Sequence, residues 1–338
     1  MRFDLITPHA RYTKPVQRTV VLAHGSLPTT DFYLGARLAS LQGVPTRRID
    51  TAREQAAAGA FGPGDFVIIV RHAPPAWLHV LAARQPQLAG VALLLDDDIP
   101  AALHSPELPL LYAFKTALRY VRARRMLARL CSAVWVSTPY LKEKYAHAKP
   151  RLLTPLYLGA PPRPEYRDMV YFYHGTSSHR LEQDFLAGVV RKVQARLPEA
   201  RFEIIGDRRT RRLFRGIPRV RVLPPMKWPD FLAHTARVSH AVGLAPMLDS
   251  HFNQARSHVK LYDITRCGAA GIYSDVAVYR DNVENGVNGI LCPNDEDAWV
   301  EAICRLLADG EERAAIGRNA RSWCERHSHD PGFTLSGA

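Results

Sequence analysis

Short, uninterrupted apolar runs that each end in polar residues, with stretches of helical spacing between them, constrain this chain more than any other feature. Thr19–Ala23 ends at His24-Gly25-Ser26, and Phe66–Val70 at Arg71-His72. Gly90–Leu95 ends at Asp96-Asp97-Asp98, and Ala133–Val136 at Ser137-Thr138. Runs without polar alternation are strands buried on both faces, which predicts a parallel sheet covered by helices. A proline-rich stretch over 159–164, GAPPRP, then breaks the pattern and reads as a linker. A second series begins at Met169–Tyr173, which ends at His174-Gly175. It continues with Phe202–Ile205 to Gly206-Asp207, Ala241–Ala245 to Pro246, Ile272-Tyr273, and a periodic helix over Glu296–Leu307. The pattern predicts an α/β chain of two domains, 1–160 and 161–320. Residues 321–338 hold the end of a last helix, whose Trp323 region is expected to cross back to the first domain. A loose tail is expected from Ser328 onward.

A length of 338 residues exceeds what one core usually supports, and 47% hydrophobic residues excludes a mainly disordered chain. No apolar run approaches the ~18 residues of a membrane span. The first residues, MRFDLITPHARY, lack the apolar centre of a secretory signal. The five cysteines, Cys131, Cys267, Cys292, Cys304 and Cys324, include no CxxC pair, so neither a disulfide framework nor a zinc site is expected. A reducing cytoplasm fits that usage.

The net charge of +13 calls for a polyanionic ligand or neighbour. Part of it gathers on a helix predicted over 111–130. There Leu111, Phe114, Leu118 and Val121 share a face, with Lys115, Arg119, Arg122, Arg124, Arg125 and Arg129 around them. A half-buried helix with an arginine-rich outer face is the leading reading; contact with an anionic membrane surface, which such a helix suits, is the alternative. Nucleic acid rests on charge alone, without a zinc-finger spacing or aromatic RNA-binding motif, and is not expected as a partner.

Several segments are suited to phosphate. Ser257–Ala269 reads as a helix opening with Arg256, Ser257, His258 and Lys260, where free N–H groups and added cations could cradle a diphosphate. Asp263, three residues after Lys260 on the same face, could accept hydrogen bonds from ribose hydroxyls. Gly175, Thr176, Ser177 and His179 form a turn in which glycine admits close backbone approach and the hydroxyls can donate. A plain strand-to-helix turn capped by Ser177 or Ser178 is the competing reading. Arg208 and Arg209 offer bidentate phosphate contacts or are solvated loop charges. Asp96, Asp97 and Asp98 could face an acceptor, cap a junction or, least favoured, hold a metal. His24, Asp31, Tyr33 and Arg71 line the same predicted edge.

These segments, in this order, resemble the GT-B glycosyltransferases, specifically family 4-like ones, over most of the chain. The resemblance rests on Leu94–Asp98 and Ser137–Leu141 in the first half. In the second it rests on Tyr173–His179, Gly243–Pro246 with Phe252-Asn253, Lys260–Asp263 with Gly268–Ser274, and Gly286–Leu291. It implies two facing Rossmann-like domains, an acceptor on the first and a nucleotide-sugar donor on the second. Lys260, Arg256 and Asp98 are then the catalytic candidates, and the cations neutralise the departing nucleoside diphosphate. Gly175, Thr176, Ser177, His179, Arg208, Arg209, Ser257, Asp263 and Ser274 face the donor. The implied activity is transfer of a sugar to a hydroxyl of a glycan or lipid-linked glycan in surface polysaccharide synthesis. It is retaining and metal-independent, in the cytoplasm or at the inner face of a membrane, with no cofactor beyond the nucleotide-sugar co-substrate. Asp263 stands for the second acid of the family's E-x7-E pair, but Ala255 replaces the first. That departure leaves a catalytically inactive sugar-nucleotide-binding or scaffolding subunit as the second reading.

Overall fold

The computed structural model describes residues 4–104, 110–160, 169–175 and 179–335. They divide into two compact units. The first comprises Met1–Leu156, Gln254–Ser257 and His329–Ala338, and the second Tyr157–Asn253 and His258–Ser328.

Unit 1 is built on a parallel sheet of β1 (Arg18–Ala23), β2 (Thr46–Asp50), β3 (Asp65–Val70), β4 (Gly90–Leu95), β5 (Ala133–Val136) and β6 (Arg151–Leu152). The spatial order is β2-β1-β3-β4-β5-β6. The four apolar runs of the first half form the interior strands, where both faces are covered. The edges β2, TRRID, and the two-residue β6 gave no apolar signal, because an edge strand in partial contact with water need not be apolar. The order of the strands reverses between β1 and β3, the kind of place where open α/β sheets bind ligands beyond the strands' carboxyl ends.

The helix over Leu110–Leu130 forms as predicted but turns a different face inward. Ala113, Ala117, Tyr120, Ala123, Leu127 and Leu130 are buried, whereas Leu111 is 65% and Phe114 is 55% exposed. Small alanines let the helix lie close to its neighbours, and the bulkier ridge is left outside with the cations. The final segment also differs from expectation. Residues 329–335 are docked on unit 1 rather than loose: Arg37, buried, meets Asp330 at 2.6 Å, and Phe333 packs edge-on against Trp135. An apolar pair and a buried guanidinium supply what a featureless sequence pattern concealed.

Unit 2 repeats the plan with β7 (Val170–Tyr173), β8 (Arg201–Ile205), β9 (Val220–Leu223), β10 (Val242–Ala245), β11 (Ala270–Ser274) and β12 (Ile290–Cys292), in the order β12-β11-β10-β7-β8-β9. Its reversal lies between β7 and β10. Helix Val259–Arg266 packs tightly there: a Cβ placed on Gly243 of β10 would lie 2.6 Å from Ile264. Only glycine allows that approach. This helix starts at Val259, two residues later than the sequence pattern suggested, so Arg256 and Ser257 precede it and belong to unit 1. Trp323, on helix Gly310–Arg326, packs against His258 and Tyr262 within unit 2. Among the described residues no helix is long and apolar enough to cross a membrane.

Candidate active site

In unit 2 the predicted donor residues gather at the β7–β10 reversal. Lys260, on the first turn of helix Val259–Arg266, donates from Nζ to the carbonyl of His174 at the end of β7. The same Nζ lies 3.6 Å from Asp263 Oδ2. Burial pushes the Asp263 carboxyl pKa up, against the pull of Lys260 and Arg266. Its Oδ1 is buried without a hydrogen-bond partner, an acceptor held ready for a donor from outside the chain. Gly175 follows directly, and a Cβ there would strike the Tyr173 ring at 2.4 Å, so the backbone passes where no other residue fits. Thr176 and Ser177 lie outside the described residues. His179 is the N-cap of helix Arg180–Arg196, with Nδ1 3.9 Å from Glu182. Glu182, itself buried, accepts from Asn253 Nδ2 at 2.7 Å.

Other predicted donor residues are engaged elsewhere. Ser274 accepts from Met247 N at 2.7 Å and donates to Asn294 at 2.5 Å, tying β10 and β11 to the loop after β12. Arg209 reaches both carboxylate oxygens of Asp184 at 2.7 Å, while Asp207 caps the short helix that Arg208 and Arg209 open.

In unit 1 the carboxyl ends of β1, β3 and β4 carry a polar cluster. Arg71 has φ of 63°, a left-handed backbone uncommon outside glycine. It is held by a two-pronged contact to Asp96, at 2.5 and 2.6 Å, and Asp96 also accepts from Thr29 at 2.5 Å. Burial alone would raise the Asp96 pKa; Arg71 and Thr29 more than offset it and keep the group ionised. Asp97 behaves oppositely. Burial and the neighbouring Asp96 charge raise its pKa, while Arg71, 3.3 Å away, and Arg256 only moderate the rise. Asp98 is fully committed: Lys144 and Tyr145 donate to its two oxygens, and the Ala101 N–H adds a third contact at 3.3 Å. The three adjacent acids thus have three different states. Tyr33 OH and Ser257 Oγ share a hydrogen bond of 2.6 Å, which brings Gln254–Ser257 to the same cluster. His24 contacts Thr51 at 3.1 Å, and Asp31 pairs with Arg48 at 2.8 Å. Lys144 and Tyr145 were not singled out from the sequence; a lysine and a tyrosine on a short helix give no signal of a partner 46 and 47 residues away.

Burial, helped by Arg119, lowers the His72 pKa from 6.5 to about 4, and burial beside His327 does the same for His258. Both rings are neutral in the fold but take a proton more readily when unfolded. Their stabilisation is complete above pH 6.5 and is lost as pH falls through that value toward 4. Urea midpoints measured from pH 7 to pH 4 are expected to fall across that window. His72→Gln should flatten the fall by about one proton's worth, near 1.4 kcal/mol per pH unit.

The two parallel sheets, each with a strand-order reversal, have the α/β architecture of the GT-B fold. Residues 169–309, within the second unit, match the model of the family Glycosyl transferases group 1. No curated protein matches the sequence. Solved structures share the fold. S. aureus TarM aligns with a TM-score of 0.58 at 13% identity, over 79% of this chain and 53% of its own, so this chain spans about half its length. Sucrose-phosphate synthase from Thermosynechococcus elongatus aligns with a TM-score of 0.58 at 15% identity, over 92% and 94%. Anabaena HepE in complex with UDP and glucose aligns at 0.54 and 13%, over 91% and 95%.

Proposed function

We propose that the chain transfers a sugar from a nucleotide-sugar donor to a hydroxyl of a glycan or lipid-linked glycan acceptor. The observation that carries this reading is the pairing of Lys260 with a buried, half-satisfied Asp263 on the first turn of a helix at the β7–β10 reversal. In this reading Asp263 Oδ1 accepts from a ribose hydroxyl, and Lys260 and the helix N–H groups meet the diphosphate. The acceptor oxygen attacks the anomeric carbon as its bond to the β-phosphate oxygen breaks. The acceptor's proton passes to the departing diphosphate on the same face, with retention of configuration. Lys260 takes the part that a divalent cation plays elsewhere, so the transfer is metal-independent. Asp97, ionisable and 27% exposed at its side chain, orients the acceptor hydroxyl, while Asp98 is a structural cap. The complexes of HepE with UDP and glucose, and of TarM with UDP and α-GlcNAc-glycerol, support a UDP-sugar as the first donor to try.

A panel of nucleotide sugars tests the proposal through thermal shift and release of nucleoside diphosphate. The expected result is one sugar nucleotide that raises the melting temperature and is turned over only with acceptor. Stabilisation without turnover would favour the inactive, scaffolding reading. That alternative draws on Ala255, which is fully buried in the unit 1 core.

The exposed ridge of Leu111 and Phe114, flanked by Lys115 and Arg119, supports a site at the surface of an anionic membrane, as surface polysaccharide assembly would require. Co-sedimentation with phosphatidylglycerol vesicles is expected to weaken with salt. It should drop more than about tenfold in Leu111→Asp/Phe114→Asp, given ~1.5–3 kcal/mol for each buried large side chain. Equal binding to neutral vesicles would contradict it.

A further inference from the structure

Four residues of unit 2 far apart in sequence converge on one point. Glu203 sits inside β8, a lone carboxylate in an apolar strand. Its Oε1 is 3.3 Å from His174 Nε2, 3.0 Å from His240 Nε2 and 3.4 Å from His234 Nε2. The other oxygen, Oε2, lies 3.5 Å from Arg221. The side chains of His174, Glu203 and His240 are 2%, 5% and 7% exposed. The rings of Phe172 and Phe231 pack against the histidines and keep the place dry.

The hydrogen-bond chemistry of His240 is the informative part. Its Nδ1 is 3.0 Å from the Ser239 carbonyl, which can only accept, so the proton of a neutral ring resides on Nδ1. Nε2 then turns a lone pair toward a carboxylate oxygen 3.0 Å away, and two acceptors face each other. A cation between them resolves the conflict. A backbone carbonyl on the far nitrogen is also the usual support of a metal-bound histidine. His174 Nδ1 has no hydrogen-bond partner, so this ring is held only from Nε2, which faces the same Glu203 oxygen at 3.3 Å. Tetrahedral bonds of about 2.0–2.1 Å to zinc put neighbouring ligand atoms about 3.3 Å apart, close to the His174–Glu203 and His240–Glu203 spacings, and the ligand atoms of these three residues all lie within 4.8 Å of one another.

We propose that His174, Glu203 and His240, with water in the fourth position, form a structural site for a tetrahedral divalent transition metal, zinc foremost. The ion ties the end of β7 to β8 and to the lead-in of β10. It thereby stiffens the strand end whose carbonyl receives Lys260, and the assignment stands whether or not the transfer proposed above is correct. Dispersed ligands explain why spacing in the sequence gave no sign of the site.

The test uses the full chain treated with a chelator and titrated with Co2+. One equivalent is expected to produce the intense visible absorption of four-coordinate cobalt, to raise the melting temperature by about 5 °C, and to be displaced by Zn2+. Glu203→Gln and His240→Ala are expected to weaken binding by about 10²-fold or more. His79→Ala, at an exposed position in unit 1, should leave it unchanged. Weak six-coordinate absorption in the wild-type chain overturns the assignment without reliance on any variant. Unchanged binding in a folded His240→Ala protein overturns it as well.

Discussion

Lys260→Ala is expected to lower turnover at saturating donor by about 10²–10³-fold, the usual loss when one preorganised group facing a developing negative charge is removed. The nucleotide should still bind, because the helix N–H groups and Asp263 remain. The fold should survive, since Lys260 is near a helix start and its backbone is unaffected. Loss of the ammonium also leaves Asp263 without its nearest cation, 3.6 Å away, so the already raised pKa of that carboxyl climbs further. Lys260→Arg keeps the charge but alters the reach to the His174 carbonyl, and partial recovery is expected. The measurement is acceptor-dependent release of nucleoside diphosphate beside a urea unfolding curve. A kcat within about threefold of the wild type would remove Lys260 from the reaction.

Asp97→Asn is expected to cut transfer by about 10²-fold, with donor affinity unchanged. The reason is the contrast among three adjacent acids. Asp96 is spent on Arg71 and Thr29, and Asp98 on Lys144, Tyr145 and Ala101. Asp97 alone keeps a carboxylate whose proton affinity is raised by burial and by its neighbour. The wild-type rate should fall on the acid side of the profile, at a pH above the ordinary carboxylate value of 3.8, as Asp97 takes up a proton. That limb should vanish in Asp97→Asn. Asp98→Asn provides the contrast: a loss of stability of about 3 kcal/mol from breaking a buried ion pair, with per-molecule activity retained in the folded fraction. A profile that keeps its acid limb in Asp97→Asn would sink the assignment.

Much of the fold was legible because buried parallel strands have little freedom in composition. VVLA, FVIIV, GVALLL and AVWV could hardly be anything else, and polar residues follow each of them at the strand's carboxyl end. Edge strands such as TRRID escaped, since one side meets solvent or a loop. The site was legible where local spacing sets geometry, as with Lys260 and Asp263 one turn apart. It was not legible where chemistry depends on distant partners. Nothing near Asp98 announces Lys144, and nothing near Glu203 announces three histidines. The 111–130 helix shows the same limit from another side: two stripes of apolar residues were present, and tertiary packing chose the alanine-bearing one.

The polypeptide passes between its two units at 156/157, 253/254, 257/258 and 328/329. Neither half is therefore a contiguous gene fragment. Exchanging donor preference with a relative by splicing at the proline-rich segment alone would orphan four residues that complete the partner lobe's polar cluster, along with the terminal strip anchored by Asp330 and Phe333. A working chimera needs every one of those seams.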